Sequence, residues 1–134
     1  MLSHKIVVRY ADGRIAKGRT TNFNPDAPSF HLIPADGQAA DGPLLVEVEK
    51  LKAIFFVRDF AGNPKREDRR DFLAGQPQLG RKVEVEFQDG EVIRGFTPDY
   101  KHGMRGFFLF PADTESNTQK VFAVSRAVKS VRLL

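Results

Sequence analysis

The 134-residue chain reads as an all-β protein: two tandem copies of a small five-stranded barrel with a short helix between them. Three observations predict this. The chain repeats itself at a spacing of 77 positions. Each copy alternates apolar and polar residues with period 2, the pattern of a half-buried strand. Asp-Gly interrupts the alternation at the same point in both copies, which signals a hairpin. The expected domains are residues 1–60, a linker over 61–80, and residues 81–134.

The repeat is visible without gaps. "KIVVRYADGRIAKGRTTNFNPDAPSFHLIPAD" (5–36) falls on "KVEVEFQDGEVIRGFTPDYKHGMRGFFLFPAD" (82–113), with eleven of 32 positions identical. The identities include Asp12/Asp89, Gly13/Gly90, Gly18/Gly95, Phe30/Phe107 and Pro34/Pro111. After a variable stretch, "LLVEVEKLKAIFFVRDF" (44–60) corresponds to "KVFAVSRAVKSVRLL" (120–134) with one residue of slippage. A repeat of this kind governs every later reading of the fold.

The elements follow in order. "KIVVRY" and "KVEVEF" are first strands. In the second copy Val83, Val85 and Phe87 lie on one face and Lys82, Glu84 and Glu86 on the other. Asp-Gly then predicts a tight primed turn, with glycine taking positive φ. The returning strands, "RIAKGRTTNF" and "EVIRGFTPDY", carry an inner Gly18 or Gly95, expected to mark a bulge or sharp bend. "SFHLIP" and "GFFLFP" are third strands, stopped by a proline that removes a ladder donor. "ADGQAADGP" (35–43) and "ADTESNTQ" (112–119) read as polar hairpin loops. The last segment of each copy holds two strands around a break at Glu49–Leu51 or Ser125–Ala127. In the linker, Asn63 reads as an N-cap and Pro64 as the first helical residue. Lys65–Leu73 then makes about two helical turns with Phe72 and Leu73 facing the core, and Gly75 ends it.

The pattern V-x-V-x-(Y/F)-x-D-G-x-(I/V)-x-(K/R)-G resembles the first motif of Sm-like barrels, including the bacterial Sm-like RNA chaperone. With "LKAIFFVRDF" and "GFFLFPADTESN" added, the duplicated whole looks like a bacterial family of uncharacterised tandem Sm-like domains. The resemblance covers both copies. It implies a fold more than a function. In Sm-like proteins the loop after the second strand carries an aromatic that stacks on a base. The matching positions here are Asn22 and Phe23, then Asp99, Tyr100, Lys101 and His102, with Arg105 close by. Phe or Tyr beside a cation suits single-stranded RNA. The plainer alternative is that Phe23 and Tyr100 only pack over the barrel mouth. The second Sm motif, an apolar residue followed by Arg-Gly, is absent from both copies.

Arg66 and Arg70 in "KREDRRDF" resemble the opening arginine pair of PilZ domains, which clamp cyclic di-GMP; Arg is a planar fork for phosphate. The downstream Asp/Asn-x-Ser-x-x-Gly of that family is missing. The plainer reading is a solvated, charge-laced helix face.

Composition bounds the rest. Hydrophobic residues make up 41% and charged residues 28%, as in a packed globular fold. There is no cysteine, so disulfides, thiolate metal sites and cysteine catalysis are excluded. His4, His31 and His102 share no ligand spacing, so no metal is expected. Asp12 and Asp89 belong to the turns, where Asp accepts backbone hydrogen bonds. Neither a nucleophile elbow nor a glycine-rich phosphate loop is present. The expectation is no enzyme and no cofactor. No secretory leader or membrane span is read in the sequence, which points to a bacterial cytoplasm. The net charge of +4 is thin and evenly spread: 8 basic and 7 acidic side chains in 1–60, 4 and 3 in 61–80, 9 and 7 in 81–134. A strong phosphate binder concentrates its charge, so DNA is not expected.

The function expected is therefore a non-catalytic binding or regulatory module. Its partner is another protein, or a second copy, held at strand edges. Single-stranded RNA through the loops around Phe23 and Tyr100 is the alternative, and cyclic di-GMP at Arg66 and Arg70 the third.

Overall fold

A computed structural model describes residues 3–35, 42–62, 65, 67–69 and 71–134. The strands are β1 (His4–Tyr10), β2 (Ile15–Thr20), β3 (Ser29–Pro34), β4 (Leu44–Glu47), β5 (Leu51–Val57), β6 (Arg81–Phe87), β7 (Val92–Thr97), β8 (Gly106–Pro111), β9 (Thr118–Val124) and β10 (Val128–Leu133). They form one antiparallel ten-stranded sheet in the order β10-β6-β7-β8-β9-β5-β1-β2-β3-β4. The all-β expectation is met. Among the described residues the only helical pieces are 3-10 turns at Val48–Lys50 and Ser125–Ala127.

The two halves keep a spacing of 77 to their ends. His4 and Arg81, Ser29 and Gly106, Val48 and Ser125, and Leu51 and Val128 all open equivalent elements. The expected one-residue slippage in the last segment does not occur. Within each half the final strand returns to the first: β5 pairs with β1, and β10 with β6. Both pairings contain a bulge at the same place, with Lys52 as the extra residue in one and Lys129 in the other.

The halves are fused rather than merely adjacent. β5 of the first half pairs with β9 of the second, in the register Ala53↔Ala123, Ile54↔Phe122, Phe55↔Val121. Successive side chains on a strand point to opposite faces. Ile54 and Phe56 therefore enter one core with Ile6, Val8, Phe30 and Leu32, and Phe122 and Val124 join them from the other half. Ala53, Val121 and Ala123 enter a second core with Val83, Val85, Phe87, Phe107 and Leu109. Each of these two strands serves both cores. That is why "AIFFV" (53–57) reads as a continuous apolar run instead of an alternation. Full burial of Phe122 across the joint contributes about 2–3 kcal/mol.

The turns differ from the expectation. Gly13 and Gly90 do have positive φ, +96° and +93°, but no other residue type does, so a primed turn is excluded among the described residues. The Gly13 N–H donates to Tyr10 O at 3.1 Å and the Tyr10 N–H to Arg14 O at 2.9 Å. That is a three-residue loop: a type I turn closed by a left-handed glycine. Asp12 and Asp89 accept the backbone N–H of Arg14 and Glu91, both at 3.0 Å. Gly18 and Gly95 sit in no bulge. A Cβ on either would run into the carbonyl oxygen of Ile33 or Phe110 on the next strand. Glycine is needed there for close backbone approach.

The linker helix is a second correction. The described residues of 61–80 are turn, bend and coil; Asn63 and Pro64, the expected cap and first turn, lie outside them. Tertiary bonds replace helical ones. The Arg69 N–H donates to Asp113 Oδ2 at 2.8 Å, and Ser116 Oγ donates to Asp68 Oδ2 at 2.8 Å. Phe72 packs edge-on against Phe96 with centroids 4.9 Å apart, as expected of a core-facing residue. Leu73 is exposed. The expected loop at 35–43 falls largely outside the described residues.

Candidate functional site

Equivalent positions in the two halves have different surroundings, and the difference defines the site. In the first half Phe23 rests edge-on against Phe30 and Phe56, with centroids 5.3 and 5.7 Å away. Two rings of the second half close over it, Phe122 at 5.1 Å and Phe108 at 6.4 Å. In the second half Tyr100 packs edge-on against Phe107 at 4.9 Å. There, however, β10 is the last strand of the sheet, and among the described residues no strand pairs with its outer edge. The space that Phe122 fills in the first half is open in the second.

The opening is a cleft of about 400 Å³ between the loop 100–104 and β10. Tyr100, Met104, Phe107 and Val131 make its apolar floor. Lys101, His102, Arg126 and Lys129 line its rim, and none of the lining residues is acidic. Two rim cations have distant or exposed partners: Lys129 Nζ is 3.8 Å from Glu86, and Arg126 is 3.3 Å from Glu49. Along β10 the outward-facing Arg132 bonds to Glu84 Oε1 at 2.9 Å. Glu84 also accepts from Arg94 at 2.8 Å. The Arg94 hydrogen bond, with the charge of Arg132 beside it, holds the Glu84 carboxyl below its usual range.

The counterpart of Lys129 shows what such a bulge can do. Lys52 is buried between the halves, with Nζ 2.7 Å from Asp89 and bonded also to Glu91. It lies 5.0 Å from the ring centre of Phe87. Its hydrogen bond, helped by the Glu91 N–H, lowers the Asp89 carboxyl below the ordinary value. A bulge re-aims a side chain out of the pleat, here into the neighbouring half.

The residues singled out from the sequence divide accordingly. Tyr100, Lys101 and His102 meet in the cleft. Asn22 and Phe23 do not. Asn22 Oδ1 accepts the His31 N–H at 3.0 Å, just as its equivalent Asp99 accepts the Phe108 N–H at 3.2 Å. Both are braces between a loop and the following strand. Phe23 belongs to the first core. Arg105 ties the two loops together, donating to Asp26 O at 2.8 Å. Arg66 and Arg70 lie outside the described residues.

Arg126, Lys129 and Val131 were missed by the sequence reading. A signal existed in the copy-to-copy comparison. Where β5 has Ala53 and Phe55, β10 has Ser130 and Arg132. The polar substitutions mark the copy whose outer face is not covered.

A larger cleft of about 540 Å³ separates the linker from the second half. Its polar groups answer one another: the Arg69 backbone N–H donates to Asp113 and its guanidinium to the Ala112 carbonyl, and Arg94 pairs with Glu84 and Asp71. It reads as a packing seam. Among the described residues no helix is long and apolar enough to cross a membrane.

The chain belongs to the family of unknown function DUF6982, whose model matches residues 2–134. No curated protein and no solved structure matches it.

Proposed function

We propose that this member of a family of unknown function is a non-catalytic protein-interaction module that holds an extended segment of its partner at the open edge of β10. The observation that carries the reading is the cleft beside that edge. An unpaired edge supplies backbone donors and acceptors for a new strand. The floor of Tyr100, Phe107 and Val131 suits an apolar side chain, and the rim of Lys101, His102, Arg126 and Lys129 suits acidic neighbours. An alternating apolar–acidic strand matches both. The finer fold that goes with this reading is a tandem pair of Sm-like five-stranded barrels. Its support is the repeated strand order, β5-β1-β2-β3-β4 and β10-β6-β7-β8-β9.

A labelled peptide of alternating valine and glutamate tests the function. Micromolar binding that weakens with salt, and that Tyr100→Ala and Lys129→Glu both reduce, is the expected result. No binding at low salt overturns the reading.

One observation favours a second reading, single-stranded RNA: Tyr100, Lys101 and His102 share the basic cleft. Anisotropy of labelled single-stranded RNA at low and physiological salt separates the two. RNA binding that survives physiological salt and falls in Tyr100→Ala promotes RNA, since a stacked base is worth about 1–3 kcal/mol. Binding confined to low salt leaves the peptide reading in place.

A further inference from the structure

We propose that the segment seated at β10 is β4 of a second copy of this chain, so that molecules join head to tail by repeating the joint already present inside each one. The inference rests on the interaction-module reading and names its partner.

The internal joint is the template. There β5 of the first half accepts β9 of the second, and Phe122 and Val124 reach into the first core. The residues 77 positions away are the two edges that end the sheet among the described residues. β10 is the counterpart of β5, and β4 is the counterpart of the second part of β9. Each molecule therefore presents one acceptor edge and one donor edge of the same joint. Transposed by 77, the internal register becomes Ser130 opposite Val46, Val131 opposite Leu45, and Arg132 opposite Leu44 of the next copy.

The side chains fit the transposition. Leu45 stands where Phe122 stands, and it is 59% exposed in the single chain. It would enter the open cleft over Tyr100 and Val131, as Phe122 covers Phe23. Glu47 stands where Val124 stands, and its carboxylate would meet a rim with cations and no acid. Lys129 sits in the bulge that Lys52 occupies. Where Lys52 reaches Asp89, Lys129 would reach Asp12 of the next copy. Glu49 and Arg126, paired at 3.3 Å within the chain, are themselves equivalent positions. The next copy's Glu49 would face Arg126 with the same complementarity.

The outer joint is weaker than the inner one for visible reasons. Pro43 takes the place of Lys120 and ends the ladder, leaving three pairs where the inner joint has five. Arg14 replaces Glu91 beside Asp12, so Lys129 gains one carboxylate there rather than two. The association is accordingly reversible. Because the joint is heterologous, it builds a closed ring or an open filament according to the rotation per copy.

Sedimentation and light scattering on the full chain test this across a concentration series. The expected mass exceeds the single-chain 15.0 kDa and rises with concentration, and Leu45→Arg returns it to 15.0 kDa. A mass of 15.0 kDa at every concentration overturns the inference. Because the chain has no cysteine, a second readout is available. Facing residues on antiparallel strands lie within disulfide reach. The double variant Leu45→Cys, Val131→Cys should give a ladder of covalent multimers after oxidation. Products no larger than the dimers of either single variant overturn the register. A monomeric chain that still binds the valine–glutamate peptide sinks only the self-association. A monomeric chain that binds no peptide sinks the interaction-module reading as well.

Discussion

Lys52 and Lys129 occupy the same position of the same bulge, one in each half, and only Lys52 is covered. Lys52 lies against the Phe87 ring with carboxylates of the other half around its ammonium. Lys129 projects at the end of the sheet with its side chain 62% exposed. One residue type at one backbone feature thus has two different surroundings, set by whether another half is packed against it.

Replacing Lys52 should cost stability. Lys52→Met removes the cation and leaves Asp89 and Glu91 facing each other. A loss of about 1–2 kcal/mol is expected, because the carboxylates are half exposed while the ammonium is buried. Chemical denaturation measures it. The matching Lys129→Met should leave stability nearly unchanged.

The same contact predicts acid sensitivity. The Asp89 carboxyl is held below its ordinary value in the folded chain, chiefly by the hydrogen bond from Lys52. A depressed folded value means stability that is fully present above the ordinary aspartate range. It is lost as pH falls through that range toward the folded value. Melting temperature should therefore drop below about pH 4. The drop should be shallower in Asp89→Asn, which carries no proton-linked contribution at that site. An equal slope in both would remove Asp89 from the account.

Phe122→Ala should be among the most damaging single changes. The ring is buried in the core of the half it does not belong to. A loss of about 3–5 kcal/mol is expected. Because β5 and β9 serve both cores, unfolding should stay a single transition by every probe. A fragment ending at residue 60 should not fold alone.

Two glycines separate two kinds of strain. Gly90 has φ +93° with open space around it, so Gly90→Ala should cost only about 1 kcal/mol from the left-handed backbone. Gly95 has ordinary φ but faces the Phe110 carbonyl, so a methyl there must push two strands apart. Gly95→Ala should destabilise clearly more than Gly90→Ala in the same denaturation experiment.

Much of the fold was legible because it depends on local physics. Period-2 alternation placed Val83, Val85 and Phe87 on one face, and all three are buried. Asp-Gly placed both hairpins, although it did not fix their type. Turn type depends on the φ of Asp12 and Asp89, which a dipeptide does not dictate. The linker helix was misread because capping signals are weak beside tertiary partners such as Asp113 for Arg69. The site was half legible. Tyr100, Lys101 and His102 are contiguous, so one loop motif marked them. Arg126, Lys129 and Val131 reach the cleft only because β10 ends the sheet, and strand order across halves is not written in either half alone.

The covalent connection between β5 and β6 has a kinetic meaning. Residues 61–80 hold β5 and β9 in one molecule, so their meeting is first order, at an effective concentration set by the tether and independent of how much protein is present. The pairing proposed between β4 and β10 of two copies would have no tether and be second order. The inner joint is complete at any protein concentration, whereas in the proposed assembly occupancy of the outer edges would track abundance. If copies join as proposed, a duplicated unit wired in this way would convert the amount of protein into a degree of assembly.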